Sequence, residues 1–229
     1  MKVKGKNAFI FGLAVFLFCG FLPTSSFAED VEVFVEGAYT DSTLDVYLYA
    51  DINGPNLCSF GVKLTYSSPL AVTSAEKNET VWFLSSETYM DPEINSGDVV
   101  VIGGKLDPSS PLDGVGGSRT LLGVVSFSHS DPAADFASLL GIAYGRGDGT
   151  GDYKNFVATD RTVMDGGNVV FGAISVYERG DANADGSINA VDYVAIRNNL
   201  SNPSPSPWMD CNEDGSVNAV DYVCVRNKL

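Results

Sequence analysis

Histidine is nearly missing from this chain: His129 is the only one among 229 residues, and cysteine occurs four times. With so few imidazoles and thiolates, a tetrahedral zinc site is not expected. His129 alternates with apolar neighbours in a strand pattern and reads as a packed or surface side chain, not as a base. No nucleophile motif is present. The stretch GRGDGTGDYKNF, from Gly145, lacks the Lys-Ser/Thr of a phosphate loop. It reads as a turn, with Asp148 and Asp152 a minor calcium candidate and its Arg-Gly-Asp a coincidence. Basic residues are scarce as well, 14 Lys and Arg against 29 Asp and Glu. A surface of that sign repels nucleic acid and anionic membranes, and suits cations or plain solubility.

The apolar run over residues 8–22 is short of the roughly 20 residues that a spanning helix needs. Lys2, Lys4 and Lys6 precede it, and Ser26-Phe27-Ala28 follows with small residues at the cleavage-defining positions. Residues 1–28 therefore read as a secretory signal peptide, and the protein as secreted, without a membrane association after cleavage. Cys19 is preceded by Phe18 where lipidation would want a small residue, so no lipid anchor is expected. Removing the leader takes away three lysines and no acids. That leaves 11 basic against 29 acidic residues and a net charge near −18.

From residue 30 to about 178 the pattern is of strands. LDVYLYADI places Leu44, Val46, Leu48 and Ala50 on one face, and SFGVKLTY does the same with Phe60, Val62, Leu64 and Tyr66. VEVFVEG, GDVVVIGG, LLGVVSFS, SLLGIAYG and NVVFGAISV continue the series, separated by turn-rich stretches such as NGPN and DPSSPLDGVGGS. Period-two apolar residues between Gly, Pro, Asn and Asp clusters indicate half-buried strands. Many such strands without a long helical pattern predict an antiparallel β-sandwich. One helical turn is expected at DPAADFASLL, capped by Asp131 and started by Pro132. Cys58 lies in a strand pattern and is expected to be a buried thiol.

What the sequence has in abundance is an acidic phrase said twice. GDANADGSINAVDYVAIRNNL, residues 180–200, returns as MDCNEDGSVNAVDYVCVRNKL, residues 209–229, with 14 of 21 positions identical. Counted from the first Asp, positions 1, 3, 5, 7, 9 and 12 are Asp181, Asn183, Asp185, Ser187, Asn189 and Asp192. In the second copy they are Asp210, Asn212, Asp214, Ser216, Asn218 and Asp221. This is the calcium-loop spacing of an EF-hand. A hard cation wants oxygens, a tight loop turns odd positions inward, and Gly186 and Gly215 at position 6 permit the reversal. Ser187 and Ser216 would contribute backbone carbonyls, and the position-9 residues often act through water. Two calcium ions are expected. Between the copies, SNPSPSPW (residues 201–208) is a stiff, extended spacer. Cys211 and Cys224 stand where the first copy has Ala182 and Ala195, and the paired replacement in an exported chain predicts a disulfide between them.

Position 12 is Asp, and no amphipathic helix precedes either loop, so each unit is a loop with its exiting helix. Paired D-x-N-x-D-G-x-x-N-x-x-D loops, each followed by a helix ending in Leu, resemble a type I dockerin over residues 180–229. The resemblance implies a calcium-folded module that binds a cohesin on a scaffold protein in a polysaccharide-degrading, cellulosome-like setting. It also implies partner-reading residues at Ala190, Val191, Arg197 and Asn198, and at Ala219, Val220, Arg226 and Asn227. Val191 and Val220 could equally be core, since part of each helix face must be buried. Because both copies carry the set, either helix could lead in binding. So short a module holds too few large apolar residues for a sufficient core, and metal binding should supply much of its folding free energy.

The segment INGPNLCSFGVKLTYSSPLAVTSAEKN, residues 52–78, is similar to the early strands of cohesins and related carbohydrate-binding sandwiches. The whole reads as mainly β: residues 1–28 a leader, 30–178 a cohesin-like β-sandwich, and 180–229 a small α-helical calcium-binding dockerin. No catalytic residue is expected. For the sandwich three roles stay open: assembly component, carbohydrate-binding module, or small glycoside hydrolase. Trp82, Phe83 and Tyr89 could stack on a polysaccharide, or serve as packing.

Overall fold

The computed structural model describes residues 30–83, 91–105, 113–145, 156–164 and 166–229, which form ten strands followed by two α-helices. The leader, Tyr89, Asp148 and Asp152 lie outside the described residues. Among those described, no helix is long and apolar enough to cross a membrane.

One long strand organises the sandwich. β1 (Val31–Tyr39) pairs antiparallel with the first half of β2 (Thr43–Tyr66), Val31 facing Ile52 and Tyr39 facing Leu44. β3 (Ala71–Lys77), β4 (Glu93–Asn95) and β5 (Asp98–Gly104) follow in sequence. On its other side β2 takes β6 (Val115–Ser128), which carries β3 along its far edge. The second half of β2 pairs instead with β5, Ser59 facing Gly104, and with β7 (Leu140–Tyr144), Val62 facing Tyr144. β4 extends that second layer beyond β5. β8 (Phe156–Ala158) and β9 (Val163–Met164) form a small hairpin beside Leu57 and Ser59. β10 (Val169–Glu178) closes the first layer by running parallel to β1. The layers are thus β10-β1-β2-β6-β3 and β7-β2-β5-β4, with β2 in both.

NGPN, expected as a turn between strands, lies inside β2. There the pairing with β6 slips from Ile52–Gly117 to Leu57–Val115. An irregularity of this kind bends a strand and lets it change layers without ending its hydrogen-bond ladder, so turn residues need not mark a strand end.

The two alternating faces read from sequence are the core: Leu44, Val46, Leu48, Ala50, Phe60, Val62 and Leu64 are all fully buried. Trp82 is buried with them, its ring edge-on to Phe60 at 4.8 Å and its Nε1 donating to the Leu121 carbonyl at 3.1 Å. It is packing, not a sugar platform. Phe83 remains 42% exposed. His129 is buried against Phe136, with its Nε2 between the Thr40 and Thr43 carbonyls. Two acceptors fix that nitrogen as the protonated one, which makes His129 a structural tie. Cys58 is only half-buried; its thiol donates to the Val157 and Ala158 carbonyls, and burial raises its pKa. The helical turn sits at Phe136–Leu139, capped by Asp135, because Asp131 instead closes a local turn by accepting from Ala133 N–H.

β10 runs straight into the repeats. α1 (Ala190–Asn199) and α2 (Ala219–Lys228) pack through Ile196 and Val225, both fully buried, with Tyr193 stacked on Tyr222 at 3.6 Å. The proline spacer lies along the first layer and ends in a single helical turn, Pro207–Met209, that buries Trp208 against Tyr177.

Candidate metal centre

Each loop is built around its first aspartate. Asp181 accepts through one oxygen from Asp185 N–H (3.1 Å) and through the other from Gly186 N–H (2.8 Å). Asp210 does the same for Asp214 (3.2 Å) and Gly215 (2.9 Å). These bonds pull the loop into a ring and require left-handed backbone twice. Gly186 and Gly215 supply it at φ 85° and 84°, as expected, and Ala184 and Glu213 supply it at φ 59° and 62°. The position-4 residues carry no sequence mark of that conformation; the constraint comes from the ring itself.

The last aspartate closes the ring. Asp192 accepts from Asn183 N–H (3.0 Å) and Asn189 N–H (2.8 Å), and Asp221 from Cys211, Asn212 and Asn218 N–H. Both side chains are fully buried. Asn189 and Asn218 turn out to be helix caps, their oxygens accepting from Val191 and Val220 N–H at 2.8 and 2.7 Å. Their amides donate to the Ser187 and Ser216 carbonyls. Asn183 and Asn212 donate to Asp185 and Asp214 at 2.7 and 2.8 Å. In both loops position 9 therefore spends its oxygen on the helix.

In the second loop one oxygen from each of Asp210, Asp214 and Asp221 lies within 4.8 Å of the others. Among the described residues no other group of three acidic, histidine or cysteine side chains converges so tightly, and the first loop's Asp181, Asp185 and Asp192 do not. Three hard carboxylates on one centre fit a divalent ion of the calcium or magnesium type. Burial raises the pKa of Asp181, and of Asp210 against the opposing pull of Gly215 N–H and Arg179. Hydrogen bonding from Asn212 lowers that of Asp214. Three carboxylates on one centre outnumber the single guanidinium of Arg179 beside Asp210, and a bound cation would offset the remaining charge.

Cys211 and Cys224 are joined, so the disulfide expected from the alanine replacements is present, with Cα atoms 6.0 Å apart. The residue that sequence reading missed is Arg179, only 2% exposed at the end of β10. Its Nη2 donates to Asp45 on β2 at 2.6 Å and its Nη1 to the Asp210 carbonyl at 2.9 Å. Burial opposes its charge, yet Tyr47 and Asp45 hold the guanidinium above its ordinary value. Arg119 makes a second link, pairing with Glu36, donating to Ser204 and the Pro205 carbonyl, and lying 4.6 Å over the Tyr49 ring. Lys228 donates to the Arg179 carbonyl at 2.6 Å.

Ala190, Arg197, Asn198, Ala219, Arg226 and Asn227 are exposed, as are Val191 at 56% and Val220 at 53%. The valines are therefore surface, and the helix core is Ile196 and Val225.

Comparison with known proteins agrees with this picture at the carboxyl end. No curated protein sequence matches the chain. Among solved structures, a type I cohesin–dockerin complex from Clostridium thermocellum is similar at 16% identity and TM-score 0.45, over 66% of this chain and 96% of that one. The third cohesin of ScaC, in complex with the ScaB dockerin of Acetivibrio cellulolyticus, gives 14% identity and TM-score 0.44 over 64% and 96%. A cohesin from Clostridium acetobutylicum gives 15% and 0.44 over 68% and 94%. The family match is to the dockerin type I domain and spans residues 179–229. Over residues 179–229, the stretch with the twin acidic loops and paired helices, this chain is similar to the dockerin type I domain.

Proposed function

We propose that this protein is a secreted, non-catalytic assembly component whose dockerin takes up two calcium ions and docks to a cohesin on a scaffold or cell-surface protein. The leader read from residues 1–28 supports export. Asp181, Asn183, Asp185, Ser187, Asn189 and Asp192 form one cation site and Asp210, Asn212, Asp214, Ser216, Asn218 and Asp221 the other, Asn189 and Asn218 acting through the helix cap. The observation that carries the reading is the exposure of the same residue set on both helices while their cores are buried. An apolar pair flanked by Arg and Asn, left bare on a folded module, marks a contact surface. Its duplication supports docking in two orientations related by the internal repeat.

The division into residues 30–178 and 180–229 follows the change from strands to loop–helix units. The sandwich serves as the delivered module, in a polysaccharide-degrading context. Burial of Trp82 removes the strongest aromatic support for sugar recognition. The test is capture of the full chain on a panel of immobilised cohesins, with calcium and with chelator. Calcium-dependent retention on at least one cohesin is expected, and none on any of them would overturn the proposal. Incubation with a polysaccharide panel, read as retention and as released sugar, tests the carbohydrate-binding and hydrolase readings.

A further inference from the structure

The two loops share their ligand pattern but not their surroundings. The second is held from outside in three independent ways. The Cys211–Cys224 disulfide ties loop position 2 to the middle of α2, where the first repeat has Ala182 and Ala195. Arg179 anchors the Asp210 carbonyl to Asp45 on the sandwich and sits 3.8 Å from an Asp210 carboxylate oxygen. The helical turn directly before the loop is packed by Trp208 against Tyr177 and accepts from Gly180 N–H at 2.7 Å. The first loop has no staple, and no cation takes the place of Arg179 at Asp181 among the described contacts. The convergence of carboxylates follows the same division, tight in the second loop and looser in the first.

From this inequivalence we infer that the second loop is preorganised, keeping its fold without the ion, and that the first loop carries the calcium-dependent folding of the module. The inference rests on the calcium reading above. The disulfide, which survives in the metal-free chain, restricts the unfolded ensemble of the second repeat only, while Arg179 and Trp208 hold its folded loop against the sandwich. Its cation then meets a standing site, whereas the first must pay for ordering a loop and starting a helix.

The test is hydrogen exchange on the full chain in calcium and in chelator, with calorimetric calcium titration alongside. In calcium both repeats should be protected. In chelator, peptides within residues 181–199 should lose protection while those within 210–228 keep most of it. Moving the staple by Ala182→Cys with Ala195→Cys should restore protection to the first repeat, and Cys211→Ala with Cys224→Ala should cost the second its own. Equal loss in both repeats of the unaltered chain, with calcium uptake intact, overturns this inference alone. Absence of calcium uptake overturns the calcium reading as well.

Discussion

Arg179 shows what one residue can hide. In sequence it stands between Glu178 and Gly180 at the end of a strand pattern, the ordinary place for a solvated side chain. Its carboxylate partner is 134 residues earlier, so no local pattern could reveal the pair. Removing one member of a buried ion pair strands the other. Arg179→Gln should therefore destabilise the calcium-loaded protein by roughly 3 kcal/mol, the low end of the range because Asp45 keeps some water contact. Denaturant unfolding measures it. The loop carboxylates were legible because their spacing is a chemical requirement, whereas the left-handed Ala184 and Glu213 were not, because neither residue type announces that conformation. The raised pKa values of Asp181 and Asp210 set a pH dependence. Each favours the metal-free fold below the ordinary aspartate range and loses that contribution as pH rises through its folded value. Calcium needs the bare carboxylates, so affinity should fall as pH is lowered from 7 towards 5, and calcium titrations at the two values will show it.

Elements were read best where a face is buried. The alternation of β2 was visible in both halves, and its passage between layers was not, because NGPN looks the same whether it ends a strand or bends one. The helices were placed by their loops, but their orientation was ambiguous: Val191 and Val220 had the chemistry of core residues. Their exposure makes a clean experiment possible. Val191→Asp and Val220→Asp should each change stability by less than about 0.5 kcal/mol, as exposed substitutions do. Each single variant should keep cohesin binding through the other helix, and the pair together should abolish it. A single variant that abolished binding would show that one helix always leads.

At the scale of the molecule, sandwich and dockerin share a junction of charged and aromatic contacts rather than a loose tether. Arg179 and Lys228 bind the second loop and the α2 end to β10, and Arg119 pins the spacer beside Tyr49. Sequence suggested a stiff spacer; that it lies down on the first layer depends on Glu36 and Arg119 meeting across the fold. Heating in chelator should show an early transition from the first of the two repeats and a later one from the sandwich. Calcium should raise the first and leave the second in place, as followed by circular dichroism.

The parallel pairing of β1 with β10 has a mechanical meaning. These are the strands at the two ends of the sandwich, and β10 leads directly to the dockerin. A chain pulled at both termini loads such a pair lengthwise, so its rungs share the strain together in shear and do not open one at a time like a zipper. A chain held at one end and drawn from the other would then resist the pull through its whole first and last sandwich strands at once.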